Sequence, residues 1–239
     1  MKIFFVLVLI CTPTVGAICQ QSSDWMKYLE NPESAKWELT EGNKLSNYTN
    51  QDFSELLTPK TKILGYIGSN FRRIDVKFSS VRKSSNLKNI YYVSGSTTVS
   101  NNTCDFEGMI AIEQVREFKK LHLGVDDVHK DKGIQKEGLL IARFEFAENP
   151  EQKHVGIFNG IMTAWWYLDG SGKVQYDNLE NESDGFKNNQ YVGTWREYGE
   201  SDEKICNWGE YRIPFSGDLD IGAGEFSANP KYYKMGWSN

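Results

Sequence analysis

The stretch VGIFNGIMTAWWYLDGSGKVQY, residues 155–176, decides the fold class of this chain. It joins a long apolar and aromatic run to a short second run through Asp169-Gly170-Ser171-Gly172, a turn sequence typical of β-hairpins. Gly156 and Gly160 fall on the same strand face as Phe158. Glycine weakens a strand unless a bend or a close approach of two backbones requires it. The stretch therefore predicts a strongly curved antiparallel strand, as closed barrels need.

Alternation of apolar and polar residues continues on both sides of this stretch, from Lys62 to Pro214. It predicts about nine strands, and no helical pattern of useful length separates them, which argues against a parallel sheet. Besides a first segment after Lys62, the strands are expected at 74–78, 90–100, 106–118, 140–146, 155–168, 174–176, 190–198 and 204–213. We predict an all-β fold, a single antiparallel up-and-down β-barrel of about eight to ten strands, with a two-sheet β-sandwich as the alternative.

The N-terminus has the pattern of a secretory signal peptide. Lys2 is followed by an apolar run to Cys11, and Val15-Gly16-Ala17 supplies small residues for cleavage after Ala17. The run is about half as long as a membrane-spanning helix, so no transmembrane segment is predicted. The sequence therefore predicts a secreted or periplasmic protein. A lipid anchor through Cys19 is the disfavoured alternative, because Ile18 replaces the small residue that lipidation requires.

Beyond the signal peptide, residues 1–17, the chain divides into a leader and a β domain. Residues 18–61 are polar apart from two short amphipathic stretches, 24–29 and 50–57, which end before Pro32 and Pro59. They predict one or two short helices docked on the β domain. Residues 62–239 form that domain and finish in a tail rich in Gly and Asp.

The charge of the chain restricts its partners. The formal net charge is −5, and no basic cluster stands out. Nucleic acid is excluded as a partner, since phosphate neutralisation needs clustered Lys and Arg. We expect a monomer that binds a small molecule or glycan, or another exported protein.

Two cysteines lie in strand patterns of the β domain. Cys104 opens one strong strand pattern and Cys206 lies early in another. Buried cysteines on neighbouring strands tend to pair in an oxidising compartment, so the favoured interpretation is a Cys104–Cys206 disulfide, which would close a loop of about a hundred residues. Two buried free thiols are the alternative.

The acidic tail is a candidate cation site. Asp218, Asp220 and Glu225, with Gly222 and Gly224 between them, could present oxygen ligands to Ca²⁺. The spacing begins like an EF-hand loop, but Gly222 stands where a further side-chain ligand is needed. A glycine-rich loop in which Asp supplies turns and caps is the alternative.

Aromatic residues make up 13% of the chain and provide the candidate ligand-binding positions. The strands between residues 165 and 208 carry Trp165, Trp166, Tyr191, Trp195 and Trp208. Alternation sends Trp165 and Trp166 to opposite faces of their strand. The rings either fill the barrel and cover its outside under the leader, or form a platform for a saccharide or apolar ligand.

Two short segments resemble known proteins. Val192-Gly193-Thr194-Trp195, followed by Arg196, resembles the Gly-x-Trp element of lipocalin and other calycin barrels, which implies barrel geometry. In lipocalins that element lies on the first strand, whereas here it lies near the end. The tail from Cys206-Asn207-Trp208-Gly209 through Arg212-Ile213-Pro214 to 217–226 resembles the closing segment of uncharacterised exported bacterial proteins, a resemblance that implies no activity.

No nucleophile, histidine or metal-binding motif stands out, so the sequence favours a non-catalytic protein. Three functions stay open: a barrel that binds a small ligand, an exported interaction module such as an inhibitor or envelope component, and a hydrolase with an unrecognised acidic site. A lined cavity favours the first, an exposed apolar patch the second, and a cleft with two perturbed carboxylates the third.

Overall fold

The structure, a computed structural model, describes residues 20–30 and 37–238. The predicted signal peptide, its cleavage site and Cys19 lie outside this range. Nine strands form one sheet. They are β1 (Ile63–Ile67), β2 (Arg72–Lys83), β3 (Ile90–Val99), β4 (Asn102–Glu117), β5 (Lys136–Glu148), β6 (Gly156–Leu168), β7 (Val174–Tyr176), β8 (Asn188–Glu197) and β9 (Glu203–Glu210).

The sheet closes on itself as an antiparallel barrel. The strand order is β5-β4-β3-β2-β1-β9-β8-β6-β7, and an additional pairing of β5 with β6 closes a ring of eight strands to which β7 is added. Ring neighbours follow one another along the chain except where β7 intervenes between β6 and β8. The predicted up-and-down barrel is therefore confirmed, and the sandwich alternative is wrong. Closure leaves no long strand edge open to pair with another chain.

Strands β7 and β8 lie end to end along the same edge of β6. Residues 156–163 of β6 pair with β8, and residues 166–168 pair with β7. Asn188 bridges the gap: Trp165 N donates to Asn188 Oδ1 at 2.7 Å, and Asn188 Nδ2 donates to Trp165 O at 3.1 Å. The side-chain amide thus takes the place of a strand peptide and keeps the buried backbone of Trp165 paired.

Two glycines lie opposite each other where β6 pairs with β8. Gly160 lies opposite Gly193. A Cβ on Gly160 would lie 2.2 Å from Val192 O, and one on Gly193 would lie 2.1 Å from Asn159 O. Neither position accepts a side chain without moving the backbone, which is the close approach that the glycine pattern of this strand predicts.

Side chains fill the barrel from one end to beyond its middle. Trp166, Tyr191 and Trp208 are fully buried there. Part of the leader closes the same end through helix α2 (Ser54–Leu57) and a 3₁₀ turn at Leu45–Tyr48. These two elements and the residue before α2 contribute Tyr48, Phe53, Leu56 and Leu57 to the core.

Two further segments cover the outside of the barrel. Helix α1 (Gln20–Glu30) places Trp25 against an apolar cluster on the outer faces of β5, β6 and β8. The tail packs against Tyr66 of β1, and Trp237 Nε1 donates to Phe71 O at 2.7 Å. Within residues 20–30 and 37–238, none of the helices has the length and apolar character that a membrane crossing requires.

Candidate functional site

The end of the barrel opposite α2 is open and holds a cavity of about 710 Å³. Consecutive turns of an up-and-down barrel alternate between its ends, so the β1–β2, β3–β4, β5–β6 and β8–β9 connections surround this mouth. Exposed side chains on its rim include Lys204 and His154. The lining also contains Thr97, Val99, Cys104, Glu148, Phe158 and Trp195.

Glu148, the last residue of β5, is a buried carboxylate in the lining of the mouth, only 4% exposed. Thr97 donates its hydroxyl to Glu148 Oε1 at 2.5 Å. Gly156 N and Trp195 Nε1 both donate to Oε2, each at 2.9 Å. No Lys, Arg or His nitrogen of the described residues lies within 4.0 Å of this carboxylate. The donors therefore fix its orientation but leave its charge without a counter-ion.

Trp195 forms an aromatic wall of the mouth beside this carboxylate. It is 6% exposed, and its ring centroid lies 6.4 Å from that of Phe158. The Lys204 ammonium lies 4.8 Å from the ring centroid, within the range of a cation–π contact. The Gly-x-Trp element thus places its Trp at the mouth, and its Gly193 permits the close packing of β8 on β6.

The other candidate aromatics do not share this site. Trp166, Tyr191 and Trp208 are buried in the filled part of the barrel, and the last two stack with ring centroids 5.1 Å apart. Their position corresponds to the packing alternative. Trp165 points to the outer face, where Trp37 of the leader stacks on it at 4.6 Å. Of the five candidate residues, Trp195 alone lines the mouth.

The acidic residues of the tail bind neighbouring protein groups. Asp220 accepts from Arg212 Nη1 at 2.5 Å and from Gly222 N at 3.0 Å. Asp218 pairs with Lys231 and Tyr232, while Glu225 is exposed. Within the described part of the chain, no three His, Cys, Asp or Glu side chains form a group that could hold a metal ion. The placement of Asp220 matches the turn-and-cap alternative.

Cys104 and Cys206 are both buried free thiols, so the predicted disulfide is absent from the structure. The assumption that their strands are neighbours is wrong. Cys104 lies on β4 and Cys206 on β9, which are four places apart in either direction around the eight-stranded ring. The barrel interior therefore separates the two residues. Burial raises the pKa of the Cys206 thiol well above its ordinary value, which keeps the thiol protonated and unreactive.

We therefore expect alkylation of the denatured, unreduced protein to modify both Cys104 and Cys206. Peptide mapping by mass spectrometry checks this result directly. Recovery of a disulfide-linked peptide pair containing these two residues would contradict the observed strand order, because that order keeps their Cα atoms beyond disulfide reach. Alkylation of the native protein serves as the control and is expected to be slow at Cys206, since the residue is fully buried.

Sequence reasoning missed Glu148 and Thr97 as site residues. Both carried a usable signal, because each continues the period of an inward-facing series on its strand. Leu140, Ala142, Phe144 and Phe146 point inward, and the same period places Glu148 inside. Tyr91 and Val93 of β3 also point inward, and their period places Thr97 inside. A charged residue at an inward position near the end of a strand predicts a polar group in a barrel mouth.

Comparison of the chain with protein-family models, curated proteins and solved structures finds no match.

Proposed function

We propose that this chain is an exported, non-catalytic β-barrel that binds a small apolar or saccharide ligand in its mouth. One observation carries the proposal: the barrel is filled from the α2 end, while the opposite end keeps a cavity of about 710 Å³. That volume lies within the roughly 300–1,000 Å³ typical of small-molecule sites.

The chemistry of the lining supports this proposal. Trp195 and Val99 give the mouth an aromatic and an aliphatic wall, and the buried Phe158 packs against Trp195. Glu148 and Thr97 supply polar atoms held in place by hydrogen bonds to each other and to their surroundings. Ligand pockets combine apolar walls with a few fixed polar groups in this way. Because these groups are already ordered, binding loses little side-chain entropy.

A substitution that fills the mouth tests the proposal. Val99→Phe adds a ring at an inward position of the lining, and we expect it to weaken binding of a neutral probe, 2-phenylethanol or methyl β-glucopyranoside, about tenfold or more. Titration followed by tryptophan fluorescence and by NMR measures the affinity. The neighbouring Thr98→Phe is the matched control, since the Thr98 hydroxyl pairs with Thr103 away from the mouth.

The result also separates the competing functions. Equal binding by wild type and Val99→Phe would place the ligand elsewhere and contradict the proposal. Failure of every probe to bind wild type would favour an interaction module, and release of a hydrolysis product from the glycoside would favour a hydrolase.

A further inference from the structure

We infer that the ligand of the mouth carries an ammonium group, which contacts Glu148 Oε1 and the face of the Trp195 ring. This inference rests on the proposed function, because it names the ligand class of the same cavity. Two independent observations carry it: the missing counter-ion of Glu148, and the ammonium that Trp195 already holds.

The Glu148 carboxylate can accept one more hydrogen bond, and its charge has no counter-ion. Its three hydrogen-bond partners, Thr97, Gly156 N and Trp195 Nε1, are all neutral. Oε2 accepts two of them, whereas Oε1 accepts only the Thr97 hydroxyl and keeps a lone pair unused. A buried charge is unfavourable unless an opposite charge accompanies it. A cation that enters the open mouth meets this need.

Trp195 shows which kind of cation the site accepts. Its ring attracts the primary ammonium of Lys204 to 4.8 Å. Lys204 is an exposed residue at the start of β9, so its side chain is free to leave when a competitor arrives. The Lys204 ammonium therefore occupies the Trp195 ring in the unliganded protein, and a ligand ammonium displaces it.

The positive groups at the rim do not favour an anion instead. The lining holds Arg72 and Lys204 but also the Glu148 and Glu197 carboxylates, and His154 lies 3.8 Å from Glu197. Glu203 adds a further negative charge to the lining. An anionic ligand would meet Glu148 in the lining without a buried cation to balance it, whereas an ammonium meets a carboxylate and an aromatic ring.

Three probes of the same shape test the inference: 2-phenylethylammonium, 2-phenylethanol and 3-phenylpropionate. Wild type is expected to bind the ammonium about tenfold more tightly than the alcohol, with the carboxylate weakest. Glu148→Gln should abolish the preference for the ammonium over the alcohol, because the carboxamide carries no charge to pair with the ammonium. The glutamine amide keeps all three hydrogen bonds, since its oxygen accepts from Gly156 and Trp195 while its nitrogen donates to Thr97.

Lys204→Ala gives a second readout that leaves the buried lining intact. Removing the Lys204 ammonium should tighten binding of the ammonium probe about threefold, while Lys77→Ala, which removes an exposed lysine on the outer wall of β2, should not. Equal affinities for ammonium and alcohol in wild type, or an ammonium preference that survives Glu148→Gln, would overturn the inference. In either case, if Val99→Phe blocks binding of the alcohol, the mouth would still be supported as the ligand site. Failure of these three probes and of methyl β-glucopyranoside to bind would overturn both the inference and the proposed function.

Discussion

Replacing Glu210 with alanine is expected to lower the free energy of unfolding by about 3–5 kcal/mol. Glu210 is fully buried at the end of β9. Its Oε1 accepts from the backbone N–H groups of Lys60 and Thr61, at 2.5 and 2.6 Å. Its Oε2 accepts from Tyr176 OH at 3.0 Å and from Asn189 Nδ2 at 2.7 Å. The carboxylate therefore joins the leader, β7 and β8 to the same end of the barrel, and its removal leaves several buried donors unpaired.

Urea unfolding measures the effect, with Glu203→Ala as the matched control on the same strand. Glu203 is exposed, so its replacement should change the free energy of unfolding by less than about 0.5 kcal/mol. Glu210→Gln should give an intermediate loss, because one oxygen still accepts from the two backbone groups while the amide nitrogen cannot accept from Asn189. A loss below about 1 kcal/mol in Glu210→Ala would mean that water replaces the carboxylate.

The fold was predictable because its main determinants are local. Alternation along residues 155–168 fixes which side chains face inward, and Gly160 marks the curved point of β6. Alternation with a period of two shows which face of the strand a side chain lies on. It does not show how deep in the barrel that side chain lies. Trp166 and Trp195 both face inward, yet one is buried in the filled part and the other lines the mouth. The sequence could name Trp195 as a candidate but could not separate it from the packed aromatics.

The contacts that could not be predicted from the sequence depend on closure of the ring of strands. The order of strands around the barrel decides that Cys104 and Cys206 lie on opposite sides, and no local pattern encodes that distance. Glu210 finds its partners at Lys60 and Thr61, 150 and 149 residues away in sequence. From sequence alone, Glu210 is one acidic residue in a predicted strand.

The second large effect concerns Asp177, which lies in the connection between β7 and β8. The pKa of this carboxyl is raised to about 7, chiefly by burial and also by the nearby Glu137 and Glu180 carboxylates, while the Leu179 N–H and His122 oppose the shift. Leu179 N donates to Asp177 Oδ1 at 3.0 Å. Between the ordinary value near 3.8 and this raised value, the folded protein holds a proton that the unfolded chain has lost. The free energy of unfolding therefore falls as the pH rises through this window and levels off above it.

Asp177→Asn should remove this pH dependence. Asparagine stays neutral and keeps an oxygen to accept from Leu179 N, so the variant should resemble the protonated wild type at every pH. The difference in free energy of unfolding between Asp177→Asn and wild type should grow by about 2–3 kcal/mol from about pH 5 to pH 8. The reason is that wild type loses roughly 1.36 kcal/mol per pH unit up to the raised pKa. Urea unfolding at both pH values measures the difference, and the exposed Asp202→Asn provides the control that should follow wild type. If Asp177→Asn and wild type lose the same stability over this range, Asp177 is already ionised in the folded protein, and the polar groups around it must stabilise a buried charge.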